Sequence, residues 1–263
     1  MRSKEFSLAR YRRHARPAIV LVALVIAAAW QCEVNFRDLL KGIAKGLSML
    51  AFFFPPEWRA FPEMIHPALV TVIICVIATP IGAALSIFFG LAGARNLAPP
   101  WLRLLCRSLI AIERGLPEIV ILLILVAAFG LGPFAGIMAL AIGSIGMLGK
   151  LVSDAIEEID GRVLDSAAAV GATRLQVIRH VVIPEVLPSL VSHSIFRFEV
   201  NVRASVLLGA VGAGGIGYEL NAAINQLEYN RATAAALTTL ALVFVSERAS
   251  DFLRARILGG GTV

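Results

Sequence analysis

Five polar side chains inside an otherwise apolar run carry the sharpest chemistry in this chain. His193, Arg197, Glu199, Asn201 and Arg203 fall in the stretch 186–211, which is long enough to cross a bilayer. Ionisable groups in such a run are expensive and turn toward a bundle interior or a water-filled path. His193, Arg197 and Asn201 are spaced by four and share one helical stripe, while Glu199 and Arg203, also four apart, can pair along a second. Two chemistries fit. One is an anion-attracting lining, because two arginines against one glutamate leave a local positive excess. The other is a structural ion pair that fixes the rotation of the helix.

Other groupings with chemical potential fall away. Residues 212–217 satisfy G-x-G-x-x-G, but spanning runs flank them where a dinucleotide fold would need a βαβ unit. Gly212, Gly214, Gly215 and Gly217 therefore read as a helix break, with open backbone lining protein or a cavity. Gly149-Lys150-Leu151 lacks the Ser or Thr of a phosphate loop, and Ser144 stands where its first glycine belongs. Any ATP site must come from another subunit. His14, His66, His180 and His193 are dispersed, and Cys32, Cys75 and Cys106 form no disulfide framework. A metal site and a membrane enzyme both lack their residues.

The elements that must position the polar stripe are spanning helices. With 58% hydrophobic and only 16% charged residues over 263 positions, the chain is no soluble globule. Its formal charge of +6 is scattered between apolar runs, as membrane topology requires, so no nucleic-acid surface is expected. Apolar runs at 17–30, 66–92, 116–131, 134–152, 186–211 and 232–245 predict an all-α polytopic membrane protein of about six spans. Phe36, Leu39, Leu40, Ile43 and Leu47 recur at helical spacing with Arg37, Asp38, Lys41 and Lys45 elsewhere around the helix. They predict an interfacial amphipathic helix on the outer side. Pro80 and Gly82 kink the second span, and Arg95, Arg103, Arg107 and Arg114 form a cytosolic set, with the helix 101–112 at the interface. Gly136, Gly143, Gly146 and Gly149 let neighbouring backbones approach the fourth span. Residues 221–230 are expected outside.

One polar stretch, 154–188, is built to stay in water. Gly161 and Gly171 divide it; Gly171 suits a left-handed helix end, and Thr173 with Gln176 reads as a capping box. Leu175, Ile178 and Val182 then recur at helical spacing, and Pro184 and Pro188 restrain the return to the bilayer. Two short helices on a cytosolic elbow make a docking knob. The stretch resembles the EAA loop of permease subunits in ATP-binding-cassette importers, E-A-A, three residues, Gly, nine residues, I-x-L-P. Here Asp165, Ser166 and Ala167 are followed by Gly171, then Val181, Ile183 and Pro184, with the spacing kept throughout. After Pro62 the chain resembles the phosphonate-type importer permeases in particular, through 130–136, 145–151, 197–203 (RFEVNVR) and 211–217. Of these, 211–217 recurs in methionine-type permeases; RFEVNVR is more specific.

The resemblance implies a type I importer permease fold, like that of methionine permeases, with 63–250 as the transmembrane domain and 154–188 as its EAA loop. Residues 1–62 would hold a cytosolic tail, a first span and the amphipathic segment, and 251–263 a cytosolic tail. It implies ATPase coupling through Asp165, Ala167, Gly171, Ala172, Arg174 and Pro184, and a substrate path near Arg197, Glu199, Asn201 and Arg203. The implied partners are a second copy of the chain, two cytosolic ATPase subunits that bind ATP and Mg, and an external (periplasmic or lipid-anchored) binding protein. The chain itself would carry no cofactor and perform no catalysis in the bacterial inner membrane. Phosphonate or a related phosphorus oxyanion is the implied substrate, with phosphite, phosphate or methionine as alternatives. A stand-alone secondary transporter is a competing class, but the sequence shows no internal repeat and would leave the EAA spacing unexplained.

The charge bias places both termini and the elbow in the cytosol. Cysteine introduced at Arg12, Asp160 or Arg254 in a cysteine-free background is expected to resist impermeant thiol reagents in intact cells and to react once the membrane is opened. Labelling of Asp160→Cys from outside would overturn this topology.

Overall fold

The structure, a computed structural model, describes residues 2–32 and 35–258; the side chains of 2–16, 36, 168 and 258 lie outside the description. The basic side chains before Pro17 and the residues after 258 therefore lie outside it too. Among the described residues every regular element is a helix. The chain forms two units that divide between Phe54 and Pro55.

The first unit holds α1 (Arg2–Gln31) and α2 (Phe36–Phe53). The apolar part of α1, Pro17–Gln31, is shorter than a full span. Asn35 caps α2, its side chain accepting the Arg37 N–H. Leu39, Leu40, Ile43 and Leu47 stand exposed on α2, the amphipathic helix that its spacing predicts.

The second unit is built on α3 (Phe61–Gly93) and α6 (Pro133–Glu158). Small residues let them touch along their length. Gly82 lies against Ser144 and the Ala141 carbonyl, and Gly90 against Val152. Ile74, Cys75, Ala78, Ala139, Leu140 and Val202 fill the core between them and α9 (Ile183–Leu208). In a bilayer such contacts are driven by van der Waals packing rather than by expulsion of water, so small residues dominate. Among the described residues four segments are long and apolar enough to cross a membrane: Trp58–Gly93, Pro133–Glu158, Arg174–Ala213 and Tyr229–Ile257, the last within α11 (Tyr229–Leu258).

The third crossing departs from expectation. Its apolar helix α5 (Glu118–Phe129) has only 12 residues, and α4 (Pro100–Gly115), expected at the interface, packs lengthwise against α6. Arg107 on α4 bonds Glu157 at one end of α6, the Arg114 stem lies beside Gly146, Glu118 stands beside Gly143, and Phe129 meets Phe134 at the other end. α4 and α5 thus run antiparallel along all of α6 as one crossing, broken at Leu116-Pro117, where proline supplies no N–H. Arg114, assigned by sequence to a cytosolic set, stands at mid-height.

The elbow also differs from its sequence reading. α6 continues through Glu158 into the polar stretch, and the second elbow helix does not stop at Pro184. α8 (Arg174–Val177) passes through a π turn at Ile178–Val182 directly into α9. The wide turn, with the Ile183 N–H bonded to Ile178 O, accommodates a proline that cannot donate. α10 (Ile216–Asn225) occupies the first half of residues 221–230.

The glycine-rich stretch is a sharp reversal after α9. Gly212, Gly214 and Gly215 take φ of +116°, +80° and +75°, open only to residues without a Cβ. α10 folds back so closely that a Cβ on Gly217 would strike the Val206 carbonyl. The freed polar groups find partners: Gly132 N–H donates to Gly212 O (2.9 Å), Ile216 N–H to Thr71 Oγ1 (2.9 Å), and Asn221 Nδ2 to Ala210 O (2.9 Å). Gly217→Ala should cost about 1–3 kcal/mol through overpacking against rigid backbone. Gly42→Ala, where a Cβ meets nothing, should be neutral or stabilise α2 by up to about 1 kcal/mol. Thermal melting of the detergent-solubilised protein checks both, and unchanged melting of Gly217→Ala would contradict this packing.

Candidate functional site

Arg197 is 5% exposed at the heart of the second unit. Its guanidinium donates to Glu118 Oε1 (2.6 Å) across the bundle and to Ser144 Oγ (3.1 Å) on α6. Asn201, one turn on and fully buried, donates to Thr79 Oγ1 (2.9 Å) and reaches Ser144 Oγ (3.4 Å). Four helices therefore converge on one polar knot. Gly143 makes the room: a Cβ there would stand 2.9 Å from both Arg197 Nη2 and Glu118 Oε1. Gly146 does the same for the Glu113 carboxyl, whose Oε2 is buried without a hydrogen-bond partner among the described residues. Sequence assigned both glycines to close backbone approach; they admit charged side chains instead.

The second stripe points elsewhere. Glu199 accepts from Arg254 on α11 (3.1 Å), and Arg203 donates to Glu247 on α11 (2.6 Å). Glu199 and Arg203 are 3.9 Å apart, a contact secondary to these two. The expected positive excess is thus cancelled: Arg197 meets Glu118, Arg203 meets Glu247, and Arg254 meets Glu199. Only carboxylates on other helices could do this, and spacing within one helix cannot reveal them. His193, on the Arg197 stripe, is half-buried beside Leu148, Leu151 and Ser189 and joins neither network.

The elbow is a separate site. Asp160 opens α7 (Gly161–Ala169) by accepting the Arg162 N–H (2.9 Å) and guanidinium (2.6 Å). These bonds from Arg162 hold the Asp160 carboxyl below its ordinary range, so the cap persists at neutral pH and is lost as pH falls through that lowered value. Gly171, at φ +83°, ends α7 with Ala172 N–H bonded to Ala167 O (3.2 Å), the Schellman closure. Thr173 then caps α8: its N–H donates to Gln176 Oε1 (2.8 Å), and its hydroxyl accepts the Gln176 N–H (3.4 Å). Asp165, Arg174 and Pro184 are exposed, Ala167 and Ala172 half-buried, and Val163, Val170 and Leu175 stand bare around them.

Two contacts ground this knob on the bundle. Ile156, Val152, Val182, Val186, Leu190 and Ala94 form an apolar cluster beneath it. Beside them, Glu157 accepts the Arg95 N–H (2.7 Å), Arg95 Nε (2.9 Å) and the Arg107 guanidinium, while Arg107 Nε donates to Gly93 O (2.9 Å). Glu113, Glu118 and Glu157 are functional candidates that sequence reasoning missed; an acidic residue beside an apolar run was the only available signal. Among the described residues no group of three His, Cys, Asp or Glu could hold a metal.

Breaking a buried pair strands a charge and costs about 3–5 kcal/mol, whereas removing both partners costs far less. Arg197→Met and Glu118→Gln are each expected to reduce folded protein sharply, and the double variant to recover most of it, as measured by fluorescence-detected size exclusion.

The family described as binding-protein-dependent transport system inner membrane component matches residues 82–259. The phosphate-import permease protein PhnE of Mycolicibacterium smegmatis is 40% identical over 241 residues, 91% of this chain but only 45% of that relative's length. The putative phosphite transport system permease protein HtxC of Stutzerimonas stutzeri is 34% identical over 95% of this chain and 88% of its own. Among solved structures, a chain of the inward-facing MetNI methionine ABC transporter superposes with a TM-score of 0.62 at 24% identity, covering 77% of this chain and 98% of that one. The fold is therefore that of type I importer permeases, and this multi-pass chain belongs to the family of inner membrane components of binding-protein-dependent transport systems.

Proposed function

We propose that this chain is the membrane-spanning permease of an ATP-driven importer for phosphonate or a related phosphorus oxyanion. The observation that carries the reading is likeness along nearly the whole chain to permeases named for phosphate and phosphite, joined to a capped, solvent-facing knob at the EAA position. Phosphite and phosphate lie within the same class. Relatives named for methionine match a shorter part, 42% of this chain in one case and 52% in another.

The working assembly holds two copies of this chain, two ATPase subunits on the cytosolic side and an external binding protein. The first relative supports the pairing, since it is long enough to contain two such units. ATP and Mg are bound by the ATPase partners, and the permease itself makes and breaks no covalent bond. Both termini and the knob face the cytosol. Asp165, Ala167, Gly171, Ala172, Arg174 and Pro184 are read as the coupling surface, with Val163, Val170 and Leu175 as its apolar contacts. ATPase closure moves the knob, and the apolar cluster under it carries that motion into α6 and α9. Arg197, Glu199, Asn201 and Arg203 lie beside the path and hold its walls in register.

Gly171→Val tests the knob. A β-branched residue at this φ costs about 1–2 kcal/mol in local backbone energy, although a Cβ there meets no neighbour. The variant should fold, yet lose most ATPase association and substrate uptake in co-purification and vesicle assays; Gly171→Asn, which tolerates this conformation, should retain more. Normal uptake by Gly171→Val would remove this account of the elbow.

A further inference from the structure

The break between α4 and α5 leaves an arginine where a membrane protein can least afford one. Arg114 lies beside Gly146, in the middle third of α6, so neither end of the bundle is within reach of its stem. Its side chain is exposed, and among the described residues no hydrogen bond or ion pair holds it, the adjacent Glu113 carboxylate acting on it only electrostatically. Gly115, Leu116 and Pro117 beside it are exposed as well, so this side of the break is open. The other charges at this height are turned inward. Glu118 is held by Arg197 (2.6 Å), and the Glu113 Oε2 is buried against Gly146. A guanidinium facing hydrocarbon at this depth is costly, so its open side must face water or protein. Irregular backbone at membrane depth carries the same requirement.

We propose that Arg114 is the cation that meets the phosphorus oxyanion midway through the membrane, a specificity residue on the path at the α4–α5 break. This rests on the importer reading above. Arg197 and Arg203 are already neutralised within the chain, whereas Arg114 keeps a planar fork of donors free for two oxygens of a phosphonate, phosphite or phosphate group.

The test uses the complete importer, with ATPase and binding protein, in proteoliposomes supplied with radiolabelled methylphosphonate, phosphite or phosphate. Arg114→Gln is expected to assemble and to keep ATPase activity stimulated by binding protein, while uptake falls about ten- to a hundredfold, the worth of a charged hydrogen bond. Arg114→Lys should recover part of it. An assembled Arg114→Gln importer that loses stimulated ATPase and uptake together has lost a merely structural contact, and that outcome overturns the assignment. Unchanged uptake by Arg114→Gln with a working wild type overturns it alone; a wild type that moves none of the three probes overturns the importer reading and this with it. Should the glutamine variant fail to accumulate, Arg114→Cys in a cysteine-free background decides. Modification by an impermeant cationic methanethiosulfonate that returns part of the uptake supports the proposal. A cysteine unreactive from both sides, buried against lipid or against a second copy, overturns it.

Discussion

Arg197 cannot be left alone in hydrocarbon, and much of the second unit is arranged around that constraint. An unpaired guanidinium there would cost several kcal/mol, so α5 must present Glu118, α6 must present Ser144, and Gly143 must be small enough to let them meet. Asn201 and Thr79 extend the same requirement to α3. Pairs of this kind add little net stability over an apolar core, but their geometry is demanding. A helix rotated or shifted by one residue would strand a charge, and the pair therefore selects one packing of the bundle against its neighbours.

The same demand explains the irregular backbone. The chain breaks between α4 and α5 and again after α9, and at the second break donors and acceptors are supplied by the protein. Asn221 serves the carbonyl of Ala210, and Thr71 serves the amide of Ile216. Glycines at positive φ turn the chain without a Cβ in the way. Open backbone is tolerated at depth only under these conditions.

In the proposed importer, coupling depends on how firmly the knob is tied to what it moves. The apolar cluster under Val182 and Val186 joins the knob to α6, and Glu157 ties the end of α6 to the turn after α3 and to Arg107 on α4. A push on the knob is thereby shared among several crossings. The π turn above it keeps α8 and α9 continuous, so displacement is not absorbed by a hinge at Pro184.

Much of this was legible in the chain alone. Apolar runs announce spanning helices because the bilayer has one thickness, and the caps at Thr173 and Gly171 are written in adjacent residues because capping is local chemistry. The EAA spacing and RFEVNVR pointed to the permease class for the same reason, being short and contiguous. Tertiary structure decided what depends on residues far apart. Arg197 meets a carboxylate 79 positions away and Arg203 one 44 away, so the apparent positive excess of one helix vanishes only when its neighbours are in place. Periodicity also could not show that α4 packs along α6, because its arginines resemble those of an interfacial helix until Gly146 is seen beside Arg114. Hydropathy reports the solvent around a segment, whereas the partner of each buried charge is set by packing between segments.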